Sequence, residues 1–132
     1  MMLTLICGIP NAGKTTYSQR FENVIHTDEI EPIGRSYVQG VYKILSEMDG
    51  DVCVEGTFLD KRGRGKLLDI YNGNARCIWL DTPLEECIRR ENRGRGTLIT
   101  RNCHACMQPP TLDEGWDEII IIRGDDEQRI SK

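Results

Sequence analysis

No apolar run in this 132-residue chain approaches the roughly 18 residues a membrane span needs. The apolar stretch at the start has neither a basic flank nor a cleavage site. A membrane-spanning or secreted reading is therefore disfavoured, and the expectation is a cytoplasmic protein. Positive charge is also scarce: 17 Lys and Arg stand against 21 Asp and Glu, so the net charge of −4 offers no global basic field to nucleic acid. A local basic groove remains compatible with that balance. Of the six cysteines, only Cys103-His104-Ala105-Cys106 has ligand spacing, and no second C-x-x-C or H-x-x-x-H completes a zinc site. A loop with incidental thiols is the plainer reading there. Cys7, Cys53, Cys77 and Cys87 fall in segments that read as strand or helix, where free cysteine behaves as a small hydrophobe. Repeats, linkers and low-complexity stretches are missing too. The length suits one domain, residues 1–132, around a single core.

What the chain does carry is Gly8-Ile9-Pro10-Asn11-Ala12-Gly13-Lys14-Thr15, which fits the phosphate-binding pattern G-x-x-x-x-G-K-[ST] at every fixed position. Its glycines let the backbone curl until successive amides point at one cluster of phosphate oxygens. Lys14 has the reach for β- and γ-phosphates, and the Thr15 hydroxyl suits Mg²⁺. The motif requires a strand before it and a helix after it. Met2–Cys7 reads as a buried strand, and Tyr17 and Phe21 lie four apart, on one face of a following helix. Nucleotide contacts are expected from Gly8 through Thr16, with Arg90 from further along the chain.

The remainder alternates strand and helix. Strands are expected at 23–26, 51–56, 75–80 and 118–122. Helices are expected from about Ser36, over the latter part of 61–71, and after Thr82-Pro83-Leu84-Glu85, which reads as N-cap, first-turn proline and capping-box glutamate. Such alternation gives a three-layer α/β fold: a parallel five-stranded sheet with helices on both faces. Ligands of such sheets bind beyond the carboxyl ends of the strands. That places Gly8 to Thr15, Asp28, Glu55 to Phe58 and Asp81 on one rim.

GTPases, ATPases and small kinases all use this loop. Two features favour a kinase. Arg89, Arg90, Arg93 and Arg95, interspersed with Gly94 and Gly96, suit a lid over residues 89–100 that brings cations to a transferring phosphoryl group; a basic helix end is the structural alternative. Asp28, at the end of the second strand, is placed to take a proton from an acceptor hydroxyl, or alternatively to cap a helix. Lys61-Arg62-Gly63-Arg64-Gly65-Lys66 offers a basic run that could follow a phosphate backbone, with a solvated helix start at least as plausible.

Taken in order, the P-loop, Asp28, Val54-Glu55-Gly56-Thr57-Phe58, Arg89 to Gly94 and Pro109-Pro110-Thr111-Leu112-Asp113-Glu114-Gly115-Trp116 resemble the kinase domain of polynucleotide 5′-hydroxyl kinases. The resemblance implies ATP and Mg²⁺ as cofactors and a 5′-hydroxyl nucleic acid or nucleotide as acceptor. It implies that Lys14 holds the β- and γ-phosphates, that Thr15 and Glu55 serve the metal, that Asp28 is the general base and that Arg93 is the lid arginine. Two positions depart from the family pattern, and the first of them weakens the nucleic-acid part. Glu31 stands where an acceptor-binding arginine is usual, with Arg35 the nearest cation, and Glu55 replaces an aspartate. Arg90 or Arg95 could take the place of Arg93. The alternatives are a small-molecule kinase of the gluconate or shikimate type, a kinase of a sugar nucleotide, and a module that binds nucleotide without turnover.

Overall fold

A computed structural model describes residues 2–29, 37–48, 50–71 and 73–132. Its centre is one six-stranded sheet in the order β2-β3-β1-β4-β5-β6. The strands are β1 (Met2–Cys7), β2 (Val24–His26), β3 (Val52–Gly56), β4 (Asn74–Leu80), β5 (Glu118–Arg123) and β6 (Asp126–Ser131). The first five run parallel, as the apolar runs imply, because a strand covered on both faces needs no polar alternation. The sixth corrects the expected five-stranded parallel sheet. β6 folds back antiparallel on β5, pairing Ile119 with Ile130 and Arg123 with Asp126, through a turn whose Gly124 has φ 62°.

The helices are α1 (Lys14–Ser18), α2 (Tyr37–Ser46), α3 (Lys61–Ile70), α4 (Leu84–Arg89) and α5 (Leu98–Cys106). Strand alternation divides the core between the two faces of the sheet. Leu3, Leu5, Val54 and Cys77 pack with Val41 of α2 and Leu67 of α3. Ile6, Cys53, Ile78 and Ile120 pack with Tyr17 of α1 and Cys87 of α4. No helix among the described residues is long and apolar enough to cross a membrane.

Local chemistry departs from the sequence expectations at three helices. α1 is short and finishes in tight turns, with Gln19, Arg20 and Phe21 amides donating to the carbonyls of Thr16, Tyr17 and Ser18; the Tyr17 and Phe21 rings still meet, 6.4 Å between centroids. α4 is capped at Pro83 with no side-chain bond, because the Thr82 hydroxyl is used elsewhere. The Cys103–Cys106 segment is helical rather than a loop: it forms the end of α5, with Cys103 half-buried against the second core cluster and Cys106 exposed. Cys7, Cys53, Cys77 and Cys87 are buried and unbridged, and burial first, then the charge of Glu55, pushes the Cys53 thiol up to about 12.

The sheet order reverses on either side of β1, whose neighbours are β3 and β4. Crevices form at such a switch, beyond the carboxyl ends of the strands. The P-loop leaves β1 at that point.

Candidate functional site

Gly8 opens the loop because nothing larger fits: a Cβ there would lie 2.9 Å from the Leu80 carbonyl oxygen and 3.2 Å from the Ala12 Cβ. Asn11 (φ 67°) and Gly13 (φ 101°) turn the chain in the left-handed region. Three neighbours then pin it. The Gly8 amide donates to the Thr57 carbonyl at 3.3 Å. The Thr82 hydroxyl donates to the Ala12 carbonyl at 2.8 Å, and Arg90 Nη1 to the Asn11 carbonyl at 3.2 Å. Lys14 Nζ folds onto its own loop, donating to the carbonyls of Gly8 (2.8 Å) and Ile9 (2.9 Å). Burial pulls the Lys14 ammonium below its ordinary pKa, and the nearby Glu55 charge works against that fall. Thr15 and Thr16, the next two residues, are exposed.

The loop floors a cavity of about 1000 Å³, the upper end of the roughly 300–1000 Å³ range of ligand pockets. Residues Pro10 through Thr16 line it. Asp28 lies on its wall, exposed, in a 3₁₀ turn (Thr27–Glu29) that directly follows β2. Glu55 lies there too, buried, with Oε2 2.7 Å from His26 Nδ1. Gly56 and Thr57 continue that wall. Arg90, Arg93 and Arg95 line the same space from the α4–α5 connection, where Gly94 and Gly96 both have positive φ. Arg89 faces away and pairs with Glu86. The cavity thus brings together Lys14, Thr15, Glu55, Asp28 and three arginines.

Other expected rim residues go elsewhere. Arg64 is not on a phosphate track at all: it is fully buried, and it clasps Glu114 through Nε (2.7 Å) and Nη2 (3.2 Å). Only Arg62, Lys61 and Lys66 of that basic run are exposed. Asp81 pairs with Arg123 on β5, and neither it nor Phe58 lines the cavity. Glu31 and Arg35 lie outside the described residues. Among the described residues no group of three or more His, Cys, Asp or Glu is placed to hold a metal, so Cys103 and Cys106 gain no partners.

Two contributors went unread in the sequence. Asp125 of the β5–β6 turn, with Asp126 and Glu127 at the start of β6, adds an acidic stretch to the cavity wall; Arg-Gly-Asp-Asp after an apolar strand is the hairpin signal that would have found them. Thr82, assigned to a helix cap, instead clamps the P-loop.

No family model matches this chain, and neither does the sequence of any curated protein. Solved structures do match. A gluconokinase from Sinorhizobium meliloti 1021 aligns with TM-score 0.71 over 93% of this chain and 82% of that one, at 12% identity. An unliganded sugar kinase from Janibacter sp. HTCC2649 aligns with TM-score 0.70 over 93% and 85%, at 13% identity. The fold is that of the P-loop kinases. At such identities the likeness carries the fold, and the chemistry has to be argued from the residues that line this chain's own cavity.

Proposed function

We propose that this chain is an ATP-dependent phosphotransferase that moves the γ-phosphate of ATP to a hydroxyl of a small, sugar-like molecule. The carrying observation is a single cavity in which the Lys14 loop and the Asp28 carboxylate line the same space beneath three arginines. Phosphoryl transfer is mostly positioning and charge stabilisation, and these groups supply both.

Lys14 trades its contacts with the Gly8 and Ile9 carbonyls for the β- and γ-phosphate oxygens, while the cavity-lining amides from Gly13 to Thr16 cradle the chain of phosphates. Asp28 accepts the proton of the acceptor hydroxyl as it attacks. Arg93, with Arg90 at the lid root and Arg95 beyond, neutralises charge on the transferring group, and the 89–100 segment closes to exclude water. The residues fit Mg²⁺ in the way that cation usually binds, through one or two protein groups plus substrate phosphates. The exposed Thr15 hydroxyl and the cavity-lining Glu55 carboxylate would hold it. When bound, it would supply neutralisation of the charge on the nucleotide phosphates.

A nucleic-acid 5′-hydroxyl acceptor has less support than a small molecule. Burial of Arg64 removes one of the four cations of the proposed backbone track, the acidic stretch at Asp125–Glu127 would repel a phosphate chain, and two of the structural neighbours are a gluconokinase and a sugar kinase. Labelled ATP offered with sugar acids, neutral sugars, nucleosides and 5′-hydroxyl oligonucleotides tests the reading. Label should pass to a sugar or sugar acid. Transfer to oligonucleotides alone, with a KM that rises steeply with salt, would restore the polynucleotide reading; tight ATP binding without transfer to any acceptor would favour a non-catalytic module.

A further inference from the structure

Glu55 is gripped from one side. It sits in β3 directly across from His26 of β2 in the sheet register, and the short bond between Oε2 and His26 Nδ1 joins the two side chains. A carboxylate only accepts, so Nδ1 carries the proton and donates it. Oε1 receives no hydrogen bond from any described residue. One residue beyond β2, the Thr27 hydroxyl donates to the Glu55 carbonyl at 3.0 Å and fixes the backbone at the same point. Glu55 lines the cavity, whereas His26 does not. One carboxylate oxygen is therefore tied to the neighbouring strand, and the other is left for whatever enters the cavity.

We propose that His26 is a positioning residue, which holds Glu55 in the orientation from which its untied oxygen meets the divalent cation that accompanies the nucleotide. The proposal rests on the phosphotransferase reading above. Glutamate has one more rotatable bond than aspartate, and ordering it on cation binding costs entropy unless a neighbour has already fixed it. An imidazole donating to a ligand carboxylate does that, and outer partners of this kind are worth about 10–100-fold in metal affinity.

Mn²⁺ titrated into the full chain saturated with ADP, with free Mn²⁺ read by electron paramagnetic resonance, reports cation affinity without turnover. His26→Ala should weaken Mn²⁺ binding about ten-fold or more, with metal-free ADP affinity unchanged. His26→Asn, whose amide nitrogen reaches the position of Nδ1, should recover most of the loss. Equal Mn²⁺ affinity in wild type and His26→Ala overturns the proposal, and so does failure of His26→Asn to recover it. Glu55→Gln separates the two levels. If it leaves Mn²⁺ binding intact, Glu55 is not a ligand and the assignment of the site falls with the proposal. If it weakens binding while His26→Ala does not, only the role of His26 is lost.

Discussion

Arg64→Ala is expected to unfold this protein far more readily than Arg62→Ala, although the two residues belong to one basic run. Arg64 is inaccessible to solvent and Glu114 nearly so, with 5% of its side chain exposed. Besides its two bonds to Glu114, the guanidinium donates to the Phe58 carbonyl at 2.8 Å. Glu114 also accepts from the Thr111 amide (2.7 Å) and from Trp116 Nε1 (3.3 Å). Burial alone would raise the Glu114 pKa, but the Arg64 hydrogen bond, the Thr111 amide and the Arg64 charge outweigh it and leave the carboxyl below its ordinary 4.5. Removing one partner strands the other charge, which costs about 3–5 kcal/mol. Small domains have only about 5–15 kcal/mol in total. At roughly 3–5 °C per kcal/mol for this length, the melting temperature should drop by about 9–25 °C. Arg62→Ala should stay within about 0.5 kcal/mol of wild type. Urea titration followed by circular dichroism, with tryptophan fluorescence reporting on the Trp116 surroundings, measures both. The sign of the pH dependence follows from the depressed carboxyl. Its contribution is complete above pH 4.5 and is lost as pH falls through the folded value, so the gap between wild type and Arg64→Ala should narrow in acid. An Arg64→Met, Glu114→Gln double variant, which removes both charges but keeps an acceptor for the Thr111 amide and Trp116 Nε1, should regain part of the loss. An Arg64→Ala cost below about 1 kcal/mol, or one equal to that of Arg62→Ala, would refute the reasoning.

Lys14→Ala should cut turnover by several orders of magnitude while changing stability by less than about 2 kcal/mol, since it removes two hydrogen bonds and a partly desolvated ammonium together. Near-wild-type turnover in the folded variant would sink the phosphotransferase reading. Asp28→Asn should lower kcat about 100-fold or more with ATP affinity unchanged; a parallel loss of ATP binding would reassign Asp28 to the metal or to a cap. Gly56→Ala should cost about 1–3 kcal/mol, read by thermal melting, because its Cβ would fall 2.3 Å from Thr27 Oγ1 and 2.9 Å from the Phe58 ring. Gly65→Ala, whose Cβ meets nothing within 4 Å in α3, is the control and should be neutral or slightly stabilising.

The sequence revealed most where burial leaves a strong signature. β1, β3, β4 and β5 were read to within a residue because covered parallel strands are nearly unbroken apolar runs. β6 escaped because Asp126–Ser131 offers one aliphatic residue, Ile130; an edge strand needs little more and is protected by its charges. α5 escaped for a related reason. Its two large aliphatics, Leu98 and Ile99, are exposed, and its buried position is Thr100, so the helix has no apolar stripe to read. The P-loop was legible because backbone geometry restricts residue type there, as the crowding around Gly8 shows. Its clamps were not: Thr82 and Arg90 meet the loop across 70 and 79 residues of chain.

Arg64 shows how a local reading can misplace a charge whose position was recoverable. Leu67, Leu68 and Tyr71 mark an apolar stripe in the sequence of α3 and its end, and counting back three residues from Leu67 or four from Leu68 lands on Arg64. A cation on that stripe faces the core, and a buried cation requires an anion within reach. The anion was also marked. Thr111 and Glu114 form a capping box, which buries a glutamate beside Trp116, just before β5 enters the sheet. Periodicity outranks local charge density in such cases: six residues rich in Lys and Arg look like one surface, but a helix turns 100° per residue and sends them in different directions. The same argument strengthens the site. Arg93 and Arg95 lie in a glycine-broken connection with no apolar stripe to join, so neither is drawn into the core and both stay exposed along the cavity they line.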